Sequence, residues 1–238
     1  MHNETFYLDG VDARSVGIKL QRPVQFSEPV PDTEVIHVPG RNGDLTMFSG
    51  SYENRVGSAD CYALGDGVTE TVVGINNFLM GVQSYRKLTT SNDPNHYWMA
   101  RVVNGARIDN RKDVLNPFEI EFDCKPQRYL VDGNYILSYA LPSGEVMPNP
   151  TQFDAKPLIS IYGSGEGQLI IAGETITISE IGEYVTIDCD TMNAYNGPVN
   201  RNSSVTMSGW PKLPPGTVSY EFSGGITRIE ITPRWWTL

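Results

Sequence analysis

Apolar and polar residues alternate along most of the chain, in short runs broken by glycine, proline, asparagine and aspartate. Within residues 1–67 the runs FYLDGVDA, GIKLQRPVQF, EVIHVPGRNGDLTMFSG and SYENRVGSADCYAL carry the period of two that belongs to strands with two unlike faces. In the third run Val35, His37, Leu45 and Met47 alternate around Asn42-Gly43, a pair that tolerates the positive φ of a type I′ hairpin turn. Pro39 lacks an amide donor, which puts its strand at an edge or an end. Such a turn sets Arg41 and Asp44 side by side at the hairpin tip, as a surface pair worth only ~0.2–1 kcal/mol.

One segment breaks the alternation. Val72, Ile75, Phe78, Leu79 and Val82 recur at helical spacing, which predicts one short amphipathic helix over about 71–86, laid on a sheet. Glu70 and Thr71 suit its start, and Arg86 and Lys87 its end, through the helix macrodipole. Gly74 and Gly81 weaken it. Strand patterns resume in HYWMARVV and NPFEIEFDCKP. The passage that follows, from Gly133 to Pro157, is dense in proline and glycine and is the best place for a boundary. The division expected is 1–135 and 136–238. The second part holds seven short strand patterns with regular turns, from PLISIYGS to ITRIEITPRW, as in an antiparallel sandwich.

Composition narrows the function classes. The 238 residues suffice for one large or two modest domains. The 23 glycines and 16 prolines are scattered between β-rich runs, a sign of turns and not of disorder. No apolar stretch approaches the ~20 residues of a membrane span, so no membrane insertion is expected. The start MHNETFYLDG has neither a basic segment nor an apolar block, so synthesis in the cytoplasm is the default. Three cysteines, Cys61, Cys124 and Cys189, lie in strand-like runs without CxxC spacing and read as buried reduced thiols. A net charge of −10 opposes stable binding of nucleic acid but suits a conduit through which it slides.

Motifs for chemistry are sparse. Gly163-Ser164-Gly165-Glu166-Gly167 follows a strand pattern as a phosphate loop does, yet another strand pattern follows it where that loop needs a helix. A hairpin turn is the reading. His2, His37 and His96 are too scattered to form a metal set. No nucleophile elbow and no HExxH motif occurs. Asp188 and Asp190 flank Cys189 and share one strand face, a weak hint of a hard-cation site. Trp98, Trp210, Trp235 and Trp236 raise a sugar platform as an alternative to aromatic packing. No cofactor, metal or catalytic residue is assigned.

Several motifs in order resemble one family, the distal tail proteins of siphophages, which are ring proteins of the baseplate hub. VPGRNGDL, from Val38 to Leu45, is similar to the family's VPGR(N/D)G hallmark. YRKL followed by HYWMARV is similar to its next block. FDCKPQRY, Phe122 to Tyr129, resembles the end of its first domain, and PNPTQFDAKPLISIYGSGEG the start of its second. GWPKLPPGTVSYEFSGGITRIEITPRWW resembles its late strand pair and basic-aromatic end. The central segment is rather short for the family and leaves no obvious room for an inserted sugar-binding module.

The resemblance implies a mainly β protein without catalytic activity, with a split-barrel-like N-terminal domain bearing one helix and a galectin-like C-terminal sandwich. It implies a hexameric ring at the virion tail tip, made in the host cytoplasm. The ring's partners are a tail tube protein and a tail-fibre or receptor-binding protein, and tape-measure protein and DNA pass through its lumen. Under this reading Arg41, Asn42 and Asp44 become candidate subunit-interface residues, since opposite charges at a ring contact fix register. The rival class is a carbohydrate-binding module on a tail or cell surface; a weaker one is a cell-wall hydrolase.

Overall fold

Antiparallel pairing takes up nearly every alternating run, and among the described residues a single α-helix interrupts it. The computed structural model describes residues 4–64, 68–106 and 115–238. They group into two units, Met1–Arg128 with Leu238, and Tyr129–Thr237. The division thus falls inside a strand, seven residues before the point the proline and glycine content suggests.

The first unit contains β1 (Phe6–Leu8), β2 (Val11–Asp12), β3 (Ile18–Leu20), β4 (Gln25–Phe26), β5 (Pro31–Ile36), β6 (Leu45–Tyr52), β7 (Arg55–Leu64), α1 (Val68–Met80), β8 (Arg86–Thr90), β9 (Asp93–Val102) and the start of β10 (Leu115–Leu130). Its main sheet runs β2-β1-β8-β9-β10-β7-β3, with β4 also on β7. Phe6 faces Thr90, Phe122 faces Gly57 and Ile18 faces Ala63 across the ladders. The core of this unit joins Phe6, Leu8, Leu88, Ile120 and Phe122 of the sheet to Ile75 and Leu79 of α1. Each such side chain contributes about 1.5–3 kcal/mol on burial.

The helix ends at Met80, six residues before the predicted end. Gly81 closes it, donating its amide to Asn77 O at 3.0 Å, and the Gln83 side chain caps Met80 O at 2.6 Å. Arg86 and Lys87 belong to β8 and not to the helix. The helix terminus is still met by a guanidinium, from across the fold. Arg86 is buried, its Nη1 donates to Phe78 O at 2.6 Å and its Nε to Asp9 at 2.8 Å. Local spacing thus placed the cation on the wrong element, although the last turn does attract one.

The second unit contains β11 (Leu137–Tyr139), β12 (Ser143–Asn149), β13 (Leu158–Ile171), β14 (Glu174–Ile178), β15 (Tyr184–Asp188), β16 (Asn193–Asn196), β17 (Val199–Asn200), β18 (Val205–Met207) and β19 (Gly216–Thr232). Two long strands organise it. Leu158–Tyr162 of β13 faces Arg228–Thr232 of β19, and Gly167–Ile171 faces Tyr220–Gly224. The first half of this pair takes β15 and β11 at its sides, and the second half takes β14 and β12. Ile159, Ile161 and Ile229 from one half share a core with Leu169, Ile176 and Phe222 from the other, so the sheet curls back to enclose a single core.

GSGEG is therefore no hairpin turn. It is the bend inside β13, where the register with β19 shifts between Tyr162 and Gly167. A Cβ on Gly163 would stand 2.0 Å from Gly225 O, and one on Gly225 would stand 1.7 Å from Ser164 O. Only glycine allows the two backbones to meet this closely. The passage from Gly133 to Pro157 lies within the second unit. It supplies β11 and β12, and buried Asn149 donates to Phe153 O and Leu213 O at 2.9 Å each while accepting from Thr151. Proline and glycine there mark turns within one unit.

All three cysteines are buried and unpaired, and burial pushes each thiol up to about 12. Native protein at pH 8 is expected to ignore an aromatic disulfide reagent and to release three equivalents of colour only on unfolding, because the thiolate is the reacting form. A second expectation concerns the bend. Gly225→Ala should destabilise by about 3 kcal/mol or more, since the backbone itself must move. Gly165→Ala, where φ is +69° but the space is open, should cost about 1 kcal/mol; urea denaturation compares the two.

Candidate assembly interface

Among the described residues β5 and β6 pair only with each other and form a separate two-stranded sheet. A lone hairpin is marginal in water because it has no partner layer on which to bury a face. Here both faces carry large apolar side chains. Cross-strand partners share a face, so Val35 and Phe48 lie with Thr46 and Thr33 on one side, while Ile36, Leu45 and Met47 lie with Glu34 on the other. Val35 is 60% exposed, Met47 54% and Phe48 52%. The sequence carries this signal as adjacent apolar pairs, Val35-Ile36 and Met47-Phe48, where a half-solvated strand alternates. Alternation alone does not reveal it.

The base of the arm is shaped by a bulge. Thr33 faces Phe48 and Pro31 faces Tyr52, so Ser49, Gly50 and Ser51 together oppose Asp32. The Asp32 carboxylate accepts from both serine hydroxyls, at 2.8 and 2.9 Å. Phe48 meets the edge of Tyr52 with ring centroids 5.5 Å apart. These local contacts fix the arm's shape without covering its apolar rows.

At the tip the predicted turn is replaced by another. The strands end at Ile36 and Leu45, leaving an eight-residue loop. The tight turn within it is Val38-Pro39-Gly40-Arg41: Arg41 N donates to Val38 O at 3.2 Å and Gly40 has φ +81°, the positions where a type II turn wants proline and glycine. Asn42 does not adopt positive φ, so Asn42-Gly43 is no type I′ turn. The Arg41–Asp44 pair is absent too. Asp44 meets His37 at 3.0 Å instead, an exposed contact of little energetic weight. Arg41 and Asn42 are exposed, and the Arg41 guanidinium has no partner among the described residues.

The remaining sequence candidates are absorbed by structure. Asp188 is held by Arg234, whose Nη1 donates at 2.6 Å, and it also accepts from the amides of Asp190 and Thr191. Burial opposes its charge, but these donors outweigh burial and keep its pKa below the usual carboxylate range. Asp190 pairs with Lys156, so the two carboxylates leave no shared cation site. Among the described residues no three His, Cys, Asp or Glu side chains gather as a metal group. Trp98 and Trp235 are buried, Trp210 packs against the second core and Trp236 stacks on Phe153 at 4.3 Å, so the tryptophans form no exposed platform. His96 pairs with Asp93 at 2.7 Å; His2 lies outside the described residues.

No protein-family model matches the sequence, and no curated protein does. Among solved structures the chain is similar to the crystal structure of the SPP1 Dit (gp 19.1) protein, described as a paradigm of the hub adsorption apparatus in phages that infect Gram-positive bacteria. The TM-score is 0.69 at 16% identity, over 96% of this chain and 98% of that one. This establishes a shared fold over nearly the full length of both chains, mainly β with curled sheets.

The exposure of the arm separates it from the core in a measurable way. The double substitution Val35→Thr, Phe48→Ser should shift the stability of the isolated chain by less than about 1 kcal/mol. Phe122→Ala, in the first core, should cost about 3–5 kcal/mol. Equal losses in a denaturant titration would mean that the arm is packed against its own chain.

Proposed function

We propose that the chain is a structural, non-enzymatic component of a bacteriophage tail tip. It forms a hexameric ring that joins the tail tube to the host-recognition apparatus and leaves a lumen for tape-measure protein and DNA. The observation that carries this reading is the full-length likeness in fold to a phage hub protein. The ordered motifs that resemble the distal tail family support it independently. The second part would be the galectin-like domain of that family. The protein would be made in the host cytoplasm and reside in the virion.

The arm supplies the physics of assembly. Covering Val35, Met47 and Phe48 contributes about 1.5–3 kcal/mol each, against an association cost of about 4–15 kcal/mol. One such contact is marginal by itself. A closed ring gains one interface per subunit while losing far less freedom per added contact, so closure makes a weak contact sufficient. Arg41, Asn42 and Asp44 at the arm's tip would set register against the neighbour and not affinity. The net charge of −10 keeps DNA from adhering to the wall of a channel.

Native mass spectrometry of the full chain tests this directly. A species of six times 26.4 kDa is expected at assembly concentrations, with a six-fold ring in electron micrographs. Arg41→Glu should reduce the hexamer yield at low salt, and the defect should shrink as salt screens the added charge. Val35→Thr, Phe48→Ser should abolish the ring while leaving a folded monomer. A monomer at every concentration, combined with failure of an antibody against the chain to label phage tail tips, would overturn the proposal.

A further inference from the structure

The first unit contains a cleft of about 350 Å³ whose lining includes Phe26, Arg55, Asn92, Asp93, Trp98 and Arg128. One wall is aromatic. The Phe26 ring stacks on the Trp98 indole with centroids 4.0 Å apart and planes 17° from parallel, and the Arg128 guanidinium lies 5.6 Å from the Trp98 ring. The sequence carries no motif for this site, because its side chains come from β4, β7, β9, β10 and the turn before β9.

The charges in the cleft are uneven. Asp93 is fully committed: Arg128 Nε and Nη2 donate to its Oδ2 at 3.0 and 2.5 Å, and His96 Nδ1 stands 2.7 Å from its Oδ1. Arg128 is thereby fixed against Trp98. Arg55 is different. Its Nε donates to Ser27 O at 2.8 Å, and its two Nη groups have no partner among the described residues. Burial works against the Arg55 charge, Glu28 relieves part of that, and Arg128 adds repulsion. Two guanidiniums therefore face a cleft that Leu238 also lines and whose one acidic side chain, Asp93, is already neutralised. A half-buried cation with free donors is the part of a recognition site that an anion completes.

We propose that this cleft binds a carboxylate carried on a short apolar stem, with Arg55 as its principal donor and the Phe26–Trp98 stack as the surface for the stem. The volume, at the lower end of ligand sites, admits one acidic side chain or a small dicarboxylate and not an extended segment. The forked guanidinium matches a carboxylate in a bidentate geometry. Inorganic phosphate suits the site less well, because it has no apolar part to place on the aromatic wall. The inference does not rest on the ring: none of the cleft's lining residues belongs to β5 or β6, and it holds for a monomer as for an assembly.

Calorimetric titration of the full chain tests it, with tryptophan fluorescence as a second readout. The probes are glutarate, the blocked dipeptide acetyl-Phe-Glu-amide, its acetyl-Phe-Gln-amide counterpart, and inorganic phosphate. The Glu dipeptide should saturate below about 10 mM and bind at least about tenfold more tightly than the Gln dipeptide. Arg55→Gln should lose at least about tenfold, and Arg55→Lys should recover part of it. Thermal melting confirms that both variants fold. Glutarate binding as tightly as the dipeptide assigns the site to a free carboxylate; binding of the dipeptide alone assigns it to an acidic side chain of a partner protein. Equal affinity for the Glu and Gln dipeptides, no saturation by either carboxylate, tighter binding of phosphate, or binding unchanged by Arg55→Gln would overturn the proposal.

Discussion

Two backbones approach more closely than side chains permit only where side chains are missing. That constraint governs the second unit. Gly163 and Gly167 of β13 meet Gly224 and Gly225 of β19 at the bend, and this contact lets one pair of long strands serve both halves of a curled sheet. With any larger residue the pair would separate midway. Ile159, Ile161, Leu169 and Ile229 would then lose the common core that all of them now enter. The apolar surface in that core supplies the stabilisation, and the glycines decide whether it can be enclosed.

The arm presents the opposite condition. Its backbone is ordered by its own ladder, by the Asp32 clip and by the Val38–Arg41 turn, yet its apolar rows remain in water. Monomeric proteins rarely leave such rows uncovered on an unpaired strand edge, where they invite association. The arm is thus structurally complete and energetically unfinished. The cleft around Arg55 is unfinished in another sense, since the Arg55 Nη groups have no partner among the described residues.

Strand content and the existence of the helix were legible in the sequence because periodicity is set by which side chains enter a core. Ile75 and Leu79 do enter it, at the spacing their pattern gave. Boundaries were less legible. The helix stops at Gly81, a breaker visible in the sequence, but the entry of Arg86 into a strand is a choice no local pattern encodes. The tip was misread for a related reason: Pro39-Gly40 and Asn42-Gly43 are both turn formers, and strand register selects the first. GSGEG looked like a turn because its partner glycines lie about 60 residues away. In the sequence the candidate interface is marked by its tip, while its apolar rows, the larger physical signal, pass for ordinary strand alternation. Arg55 and Arg128 were out of reach, since only the folded sheet brings them to one cleft.

The clasp between Arg86 and Asp9 also has a bearing on how the chain is made. These residues are separated by 77 positions, and β1 pairs with β8 across a similar interval. At about 5–20 residues per second of synthesis, β1 waits roughly 4–15 s for the strand that completes its ladder. During that interval Phe6 and Leu8, later wholly enclosed, have no sheet to join. The first unit is therefore a late-closing structure in time, although its first strand is made before every other strand of the unit.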